Sequence, residues 1–171
     1  IMGNASLRMI PASRLADDAA CTIRQVKSQT FTGVTTDSRE AAAGMLFIAL
    51  KGEQTDGHHF VDKALENGAA AALVSAHWAR ANDPKSGMPL VITDDTLKGL
   101  HQLAAMYRRM MPAKLIGITG SSGKTTTRRL IAHILSGAFS VSQSMNNFNN
   151  HVGYPLSLFQ LRPDNDFGVM E

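Results

Sequence analysis

The stretch Ile116-Gly117-Ile118-Thr119-Gly120-Ser121-Ser122-Gly123-Lys124-Thr125-Thr126-Thr127 decides the fold of this chain. It joins an apolar strand segment to a glycine-rich turn, a lysine and the start of an amphipathic helix. Such a turn surrounds the phosphates of a nucleotide, because small residues let backbone N–H groups point inward and the helix adds its positive N-terminal end. The stretch therefore predicts a parallel α/β domain that binds a nucleotide.

The glycines of this stretch depart from the general phosphate-loop pattern. That pattern, G-x-x-x-x-G-K-[ST], requires a glycine at the position of Ile118, whereas the glycines here are residues 117, 120 and 123. The alternative is an ordinary Gly/Ser turn that carries a surface lysine. The flanking segments favour the phosphate loop, because an apolar strand (114–119) precedes it and a helical pattern of Leu and Ile follows at 130–135.

Two residue types in the loop predict specific contacts. Lys124 can reach the outer phosphates of the nucleotide as a mobile positive charge. The hydroxyl of Thr125 or Thr126 can bind Mg²⁺, which keeps most of its waters and takes few protein ligands.

The composition excludes several classes of protein. The net charge is only +3 and the basic residues are scattered, so we expect no nucleic-acid binding. No apolar run approaches the roughly 20 residues that a membrane helix needs, and the first residues do not resemble a signal peptide, so we expect no membrane insertion. The one cysteine, Cys21, fits a buried filler in a reducing, cytoplasmic setting.

Alternating strands and helices predict two α/β domains, residues 1–111 and residues 112–171. In the first, we expect strands at 7–10, 31–36, 45–50, 70–74 and 90–93, and helices at 11–19, 59–67 and from 94 or 95 to 111. In the second, strands at 114–119, 139–143 and 166–170 alternate with helices at 125–136 and 154–161. This order implies a parallel sheet with ligands at the carboxyl ends of its strands.

Other polar segments lie where such strands end. Four asparagines and His151 crowd residues 146–151, and Glu171 follows an apolar strand, where a Mg²⁺ contact would lie. The segments 35–39 and 52–58 also follow buried strands and could hold a second phosphate-bearing ligand. From the residues alone, a plain polar turn is favoured for 35–39, 52–58 and, slightly, for the asparagine segment.

Four separated motifs resemble the Mur ligases, which build the peptide of the peptidoglycan precursor. They are Thr-Thr-Asp-Ser-Arg at 35–39 with Gly-Met-Leu-Phe-Ile-Ala-Leu-Lys-Gly at 44–52, Asp-Gly-His-His-Phe at 56–60, Gly-Ile-Thr-Gly-Ser-Ser-Gly-Lys-Thr-Thr at 117–126, and Asn-Asn-Phe-Asn-Asn-His-Val-Gly-Tyr-Pro-Leu-Ser-Leu at 146–158. The resemblance covers nearly the whole chain from about Phe31. It implies a small N-terminal α/β domain that binds a UDP-sugar, followed by the first part of a phosphate-loop ATPase domain.

The resemblance assigns roles to individual residues. It implies that Lys124 binds the β- and γ-phosphates and is the catalytic residue, and that Thr125 and Glu171 bind Mg²⁺. The implied ATP-binding residues are Gly120, Ser121, Ser122, Gly123, Lys124, Thr125 and Thr126, with Asn149 or Asn150 near the metal. The implied UDP-sugar contacts are Thr36, Ser38, Glu53, Gln54 and Thr55.

The last motif most resembles the family member that joins D-alanyl-D-alanine to UDP-N-acetylmuramoyl-tripeptide. The implied reaction is ATP- and Mg²⁺-dependent amide formation through an acyl phosphate. We expect the protein to be a monomer. Family members are much longer, so we expect this piece to be inactive alone and to bind nucleotide weakly. The alternatives are the ligase that adds the third residue, another amide ligase of the folate polyglutamate or cyanophycin type, and a non-catalytic nucleotide- or UDP-sugar-binding module.

Overall fold

The computed structural model describes residues 10–18, 21–52, 55–82, 87–144 and 150–171. Its described residues form two compact units, an N-terminal unit that ends at Met106 and a C-terminal unit, Tyr107–Glu171. The division between Met106 and Tyr107 falls within one long helix, Thr96–Met110. The domain boundary expected at residues 111 and 112 stays a prediction. The α/β class is confirmed, because both units contain parallel strands that alternate with helices along the chain.

The N-terminal unit contains seven strands and four helices among its described residues. In chain order they are β1 (Ile10–Pro11), α1 (Ala12–Asp18), β2 (Thr22–Arg24), β3 (Thr30–Phe31), β4 (Gly33–Thr35), β5 (Met45–Ile48), α2 (Val61–Glu66), β6 (Ala71–Ser75), α3 (Ala76–Ala81), β7 (Leu90–Thr93) and α4 (Thr96–Met110), which continues into the second unit. Short 3₁₀ turns lie at Ser38–Glu40 and Gly57–Phe60.

A five-stranded sheet organises this unit, in the order β2-β7-β6-β5-β4. Strands β4 to β7 are parallel, and β2 pairs antiparallel with β7. The central strands are buried on both faces, which is why β5 and β6 are continuous apolar runs without alternation. The strand predicted at 70–74 is present as β6, and its residues Ala71 and Ala72 are fully buried.

The motif Asp56-Gly57-His58 fastens the loop after β5 to the sheet. The Asp56 carboxylate accepts the backbone N–H of His58 at 2.9 Å and lies 2.6 Å from Nδ1 of its ring. On the other side of the ring, Nε2 accepts the backbone N–H of Ser75 at 3.0 Å, so the ring proton is on Nδ1, which donates a hydrogen bond to Asp56. The buried imidazole also packs against Trp78, with 5.7 Å between ring centroids.

The C-terminal unit is built on a three-stranded parallel sheet. Its elements are β8 (Lys114–Gly117), α5 (Lys124–Leu135), β9 (Val141–Gln143), α6 (Gly153–Leu158) and β10 (Phe167–Met170). The strand order is β8-β10-β9, so the last strand lies between the other two. Tyr107 from the end of α4 packs on this unit and donates its hydroxyl proton to the carbonyl of Leu161 at 2.7 Å.

Some sequence predictions were wrong in detail. The single strand predicted at 31–36 is two strands in different sheets, because Phe31 pairs with Ile10 whereas Val34 pairs with Leu46. Strand β2 and helix α3 were not predicted. The strand expected from residue 139 begins at Val141, since Phe139 still donates its N–H to Leu135 at the end of α5.

Helix α5 packs on the sheet with a different face from the one its apolar pattern suggests. Arg128 and Ala132 are buried, whereas Leu130 and Ile134 are 57% and 65% exposed. In this helix a charged side chain therefore faces the sheet and two large apolar side chains face outward.

Cys21 has the buried setting that its isolation in the sequence suggests. Burial raises the pKa of its thiol to about 11, although a hydrogen bond with Thr93 acts in the opposite direction. The thiol therefore stays protonated at neutral pH, which fits a filler role.

The described residues contain no helix that is long and apolar enough to span a membrane.

The close approach at Gly57 predicts the cost of a methyl group there. A Cβ would lie 2.6 Å from the carbonyl oxygen of Leu50 and 2.8 Å from its nitrogen, both backbone atoms that cannot move aside. We expect Gly57→Ala to lower the free energy of unfolding by about 2 kcal/mol, measured by urea denaturation. Gly33→Ala is the control, because its Cβ would contact only the flexible Met45 side chain. Equal stability of the two variants would contradict this explanation.

Candidate functional site

The glycine-rich loop between β8 and α5 is exposed and held in a shape that needs glycine. Gly120 and Gly123 have φ angles of 147° and 76°, in the region that other residues rarely adopt. Gly123 caps the helix, and its carbonyl accepts the N–H of Thr127 at 2.9 Å. A Cβ on Gly123 would meet no atom within 4 Å, so the positive φ angle rather than steric crowding explains why glycine is required here.

Lys124 is the first residue of α5, and its side chain reaches back over the loop. Its Nζ donates to the carbonyl oxygen of Gly120 at 2.6 Å. The ammonium therefore lies beside the loop backbone and the N-terminus of a 12-residue helix, where positive charge and helix dipole act together. Ser121, Ser122 and Thr126 are exposed in the same segment.

Thr125 and Glu171 come together although 46 residues separate them. The Thr125 hydroxyl lies 3.1 Å and 3.0 Å from the two carboxylate oxygens of Glu171 and donates to them. The register of β10 against β8 explains the meeting, since Met170 is opposite Gly117 and both strands end at the same edge. The Glu171 side chain is only 8% exposed.

Arg128 belongs to this cluster and was missed from the sequence. Its Nε lies 3.3 Å from Oε2 of Glu171, and its Nη1 donates to the carbonyl of Ser144 at the end of β9. The available signal was spacing, because residues 125 and 128 are three apart and share one face of a helix. The helical spacing of the Leu and Ile residues in α5 is more conspicuous in the sequence than the spacing of Thr125 and Arg128.

The donor set suits a hard cation. No group of three or more His, Cys, Asp or Glu side chains is close enough to hold a metal within the ranges that the structure describes. One carboxylate and one hydroxyl, supplemented by water and phosphate oxygens, is a set typical of Mg²⁺. Thr125 and Glu171 thus fit the metal-binding role expected of them.

The asparagine segment is described only from Asn150 onward. The Asn150 side-chain oxygen accepts the N–H groups of Val152 and Gly153 at 3.1 and 2.7 Å, so it organises the start of α6. Asn149 and residues 145–148 lie outside the described residues. The role of Asn149 or Asn150 toward a nucleotide stays a prediction.

The expected UDP-sugar residues follow neighbouring strands of the N-terminal sheet. Thr36 is half-buried, and Ser38 is buried with its carbonyl accepting the Asn67 side chain at 2.8 Å. Thr55 is exposed, and its carbonyl accepts the N–H of Gly52 at 3.0 Å. Glu53 and Gln54 lie outside the described residues. Because β4 and β5 are parallel neighbours, both segments emerge at one edge of the sheet.

Asp37 and Arg39 shape the first of these segments. The Asp37 carboxylate accepts the backbone N–H of Arg39 at 2.9 Å and pairs with its guanidinium. The side-chain hydrogen bond from Arg39, followed by its backbone N–H, lowers the pKa of Asp37 to about 2. The pair fixes the turn Ser38–Glu40, from which Ser38 points inward.

Two family models match most of the chain. The model described as "Mur ligase family, catalytic domain" matches residues 30–108, and the one described as "Mur ligase middle domain" matches residues 118–171. The matches cover the polar segments of the N-terminal sheet, most of the glycine-rich loop, and Glu171.

Curated relatives extend the likeness. The UDP-N-acetylmuramoyl-tripeptide–D-alanyl-D-alanine ligase of Bacillus subtilis (strain 168) is 40% identical over 148 residues, 86% of this chain and 32% of the relative. The Escherichia coli (strain K12) ligase of the same name is 42% identical over 142 residues, 83% of this chain and 30% of the relative. The chain thus spans about a third of the length of these relatives.

Solved structures show the same arrangement of elements. A crystal structure of MurF from Acinetobacter baumannii superposes with a TM-score of 0.86 at 33% identity, over 96% of this chain and 36% of the other. MurF ligase from Thermotoga maritima in complex with ADP gives a TM-score of 0.70 at 30% identity, over 81% of this chain and 31% of the other.

The Asp37–Arg39 pair predicts a measurable titration. Because the pKa of Asp37 is lowered in the folded chain, its contribution to stability is present above the ordinary aspartate pKa and is lost as the pH falls toward 2. We expect Arg39→Gln to raise the pKa of Asp37 toward its ordinary value, measured by NMR titration of the side-chain carboxyl carbon. Glu40→Gln is the control, and an unchanged Asp37 pKa in Arg39→Gln would contradict the assigned cause.

Proposed function

This chain belongs to the Mur ligase family, and we propose that it supplies the nucleotide-binding and UDP-precursor-binding parts of an ATP-dependent ligase. The proposed reaction joins D-alanyl-D-alanine to UDP-N-acetylmuramoyl-tripeptide through an acyl phosphate. The names of the curated relatives support this choice of substrates. The ligase that adds the third residue and a non-catalytic binding module are the alternatives.

The observation that carries the proposal is the cluster at the carboxyl ends of β8 and β10. Lys124 lies on the loop at Gly120, and Thr125 contacts Glu171. In the proposed site, loop N–H groups and Lys124 bind the β- and γ-phosphates, and Thr125 and Glu171 hold Mg²⁺. Bound Mg²⁺ would offset negative charge on the transferring phosphoryl group. A structure of a 30% identical relative was solved with ADP, which supports a nucleotide ligand.

The N-terminal unit is proposed to bind the UDP-linked tripeptide at the edge where β4 and β5 end. Thr36 and Ser38 lie in the segment 35–39, and Thr55 lies in the polar segment 52–58, to which Glu53 and Gln54 also belong in the sequence. The turn that Asp37 and Arg39 stabilise and the loop that His58 fastens give these segments a defined backbone. We propose a monomer that works in the cytoplasm, where this precursor would be made.

The proposed contact between Lys124 and phosphate predicts that removal of this charge weakens nucleotide binding. We expect Lys124→Ala to weaken ADP binding to the 171-residue chain roughly 10- to 100-fold, because a charge-assisted contact to phosphate is lost. Isothermal titration calorimetry with MgADP measures the change. Lys114→Gln is the control, since this exposed lysine lies at the opposite end of β8 from the loop. Equal binding by Lys124→Ala and the unmodified chain would contradict the proposed site.

A hybrid ligase tests the proposed substrate. This chain would replace the matching N-terminal part of the Bacillus subtilis relative, and ATP-dependent ligation would be assayed with each UDP-linked acceptor. We expect D-alanyl-D-alanine to be joined to UDP-N-acetylmuramoyl-tripeptide, with loss of product in the Lys124→Ala hybrid. Joining of a diamino acid to the UDP-linked dipeptide instead would favour the third-residue ligase.

A further inference from the structure

We propose that Arg128 is a positioning residue, which holds the Glu171 carboxylate in the orientation that Mg²⁺ binding requires. The inference rests on the proposed function, because Glu171 is there a Mg²⁺ ligand. It assigns to Arg128 a role that acts through Glu171 and Ser144 and needs no contact with the nucleotide.

The burial of Arg128 is the first observation. Its side chain is 3% exposed and that of Glu171 is 8% exposed, so the pair is removed from water. Arginine is almost never fully buried unless it is paired, and a buried ion pair is often no more stabilising than apolar residues of similar size. Helix α5 nevertheless directs Arg128 inward, against the ends of β9 and β10. Stability alone does not explain this choice.

The second observation is that Arg128 connects the ends of two strands. Its Nη1 donates to the carbonyl of Ser144 after β9, while its Nε lies 3.3 Å from Glu171 Oε2 after β10. Ser144 also contacts Glu171 directly, because the backbone N–H of Glu171 donates to Ser144 Oγ at 3.2 Å. The position of Glu171 is thus set by both its main chain and its side chain.

The third observation concerns the orientation of the carboxylate. Thr125 and Arg128, one helical turn apart on α5, both contact Glu171. Thr125 reaches both carboxylate oxygens, and Arg128 reaches Oε2. The ion pair between Arg128 and Oε2 opposes rotation of the carboxylate away from Thr125, which keeps the two proposed metal ligands together.

A lysine could not replace all these contacts. The planar guanidinium presents several N–H donors in a fixed fork, so one side chain serves Glu171 and the Ser144 carbonyl at the same time. An ammonium group is a single point charge on a flexible stem. Arg128→Lys therefore keeps the charge and loses the bridge, which separates the electrostatic contribution of Arg128 from its positioning one.

The experiment measures how much Mg²⁺ strengthens ADP binding. Calorimetry gives the ADP dissociation constant of the 171-residue chain in excess Mg²⁺ and in EDTA, and the ratio of the two is the Mg²⁺ gain. The variants are Arg128→Gln and Arg128→Lys. Arg129→Gln is the matched control, because this neighbouring arginine is exposed. Thr125→Ala provides the reference for direct loss of a proposed metal ligand.

We expect Arg128→Gln to reduce the Mg²⁺ gain about tenfold, the scale on which loss of a group that orients a metal ligand acts, while binding in EDTA stays unchanged. Arg128→Lys should restore part of the gain. If Arg128→Gln does not fold by circular dichroism, Arg128→Lys decides, with an expected gain below that of the unmodified chain. Amide hydrogen exchange in metal-free protein adds a second readout, in which the Glu171 N–H exchanges faster in both variants than in the control.

Three outcomes would overturn the inference. An undiminished Mg²⁺ gain in a folded Arg128→Gln or, where that variant does not fold, in Arg128→Lys would show that Arg128 does not act on the metal site. Equal weakening in Mg²⁺ and in EDTA would indicate a purely structural role. The absence of any Mg²⁺ gain in the unmodified chain would reject the proposed metal site together with this inference, a result distinct from the other two.

Discussion

Parallel strand pairing is the constraint on which both units depend. Parallel neighbours end at one edge of a sheet, so the segments that follow them are brought together however far apart they are in sequence. In the C-terminal unit this pairing brings the glycine-rich loop, Ser144 and Glu171 to the ends of β8, β9 and β10. In the N-terminal unit it brings the segments after β4 and β5 to a common edge. Each proposed ligand site is a consequence of strand direction first and of side-chain chemistry second.

Charge gives the edge of the C-terminal sheet its chemical character. Lys124, Arg128 and the N-terminus of α5 present positive potential, and Glu171 is the carboxylate set among them. A lone carboxylate at this depth would be costly, so its surroundings supply a hydroxyl, a backbone contact and a guanidinium. The same groups that stabilise Glu171 also limit its orientation. The burial of the Glu171 carboxylate and its fixed orientation therefore depend on the same contacts, so a substitution that removes one of these contacts alters both.

Local patterns could be read from the sequence, whereas distant partners could not. Strand β7 was predicted at its observed bounds, and the lysine, the glycines and the helix of the phosphate loop follow from neighbouring residues. The break between Phe31 and Val34 depends on Ile10 and Leu46, which no local pattern identifies. The burial of Arg128 likewise depends on the ends of β9 and β10, which lie 16 and 43 residues away along the chain. The apolar spacing of α5 predicts the helix, but it does not identify Arg128 as a buried residue.

The packing of Trp78 against His58 has a practical consequence for spectroscopy. Trp78 is the one tryptophan of the chain and lies in the N-terminal unit, whereas both tyrosines, Tyr107 and Tyr154, lie in the C-terminal unit. Indole emission excited at the red edge thus reports on the unit that holds the Asp56-Gly57-His58 motif. Tyrosine absorbance reports on the unit that holds the phosphate loop. The unlabelled chain therefore carries an optical probe in each half, and tryptophan emission follows the melting of the N-terminal unit selectively.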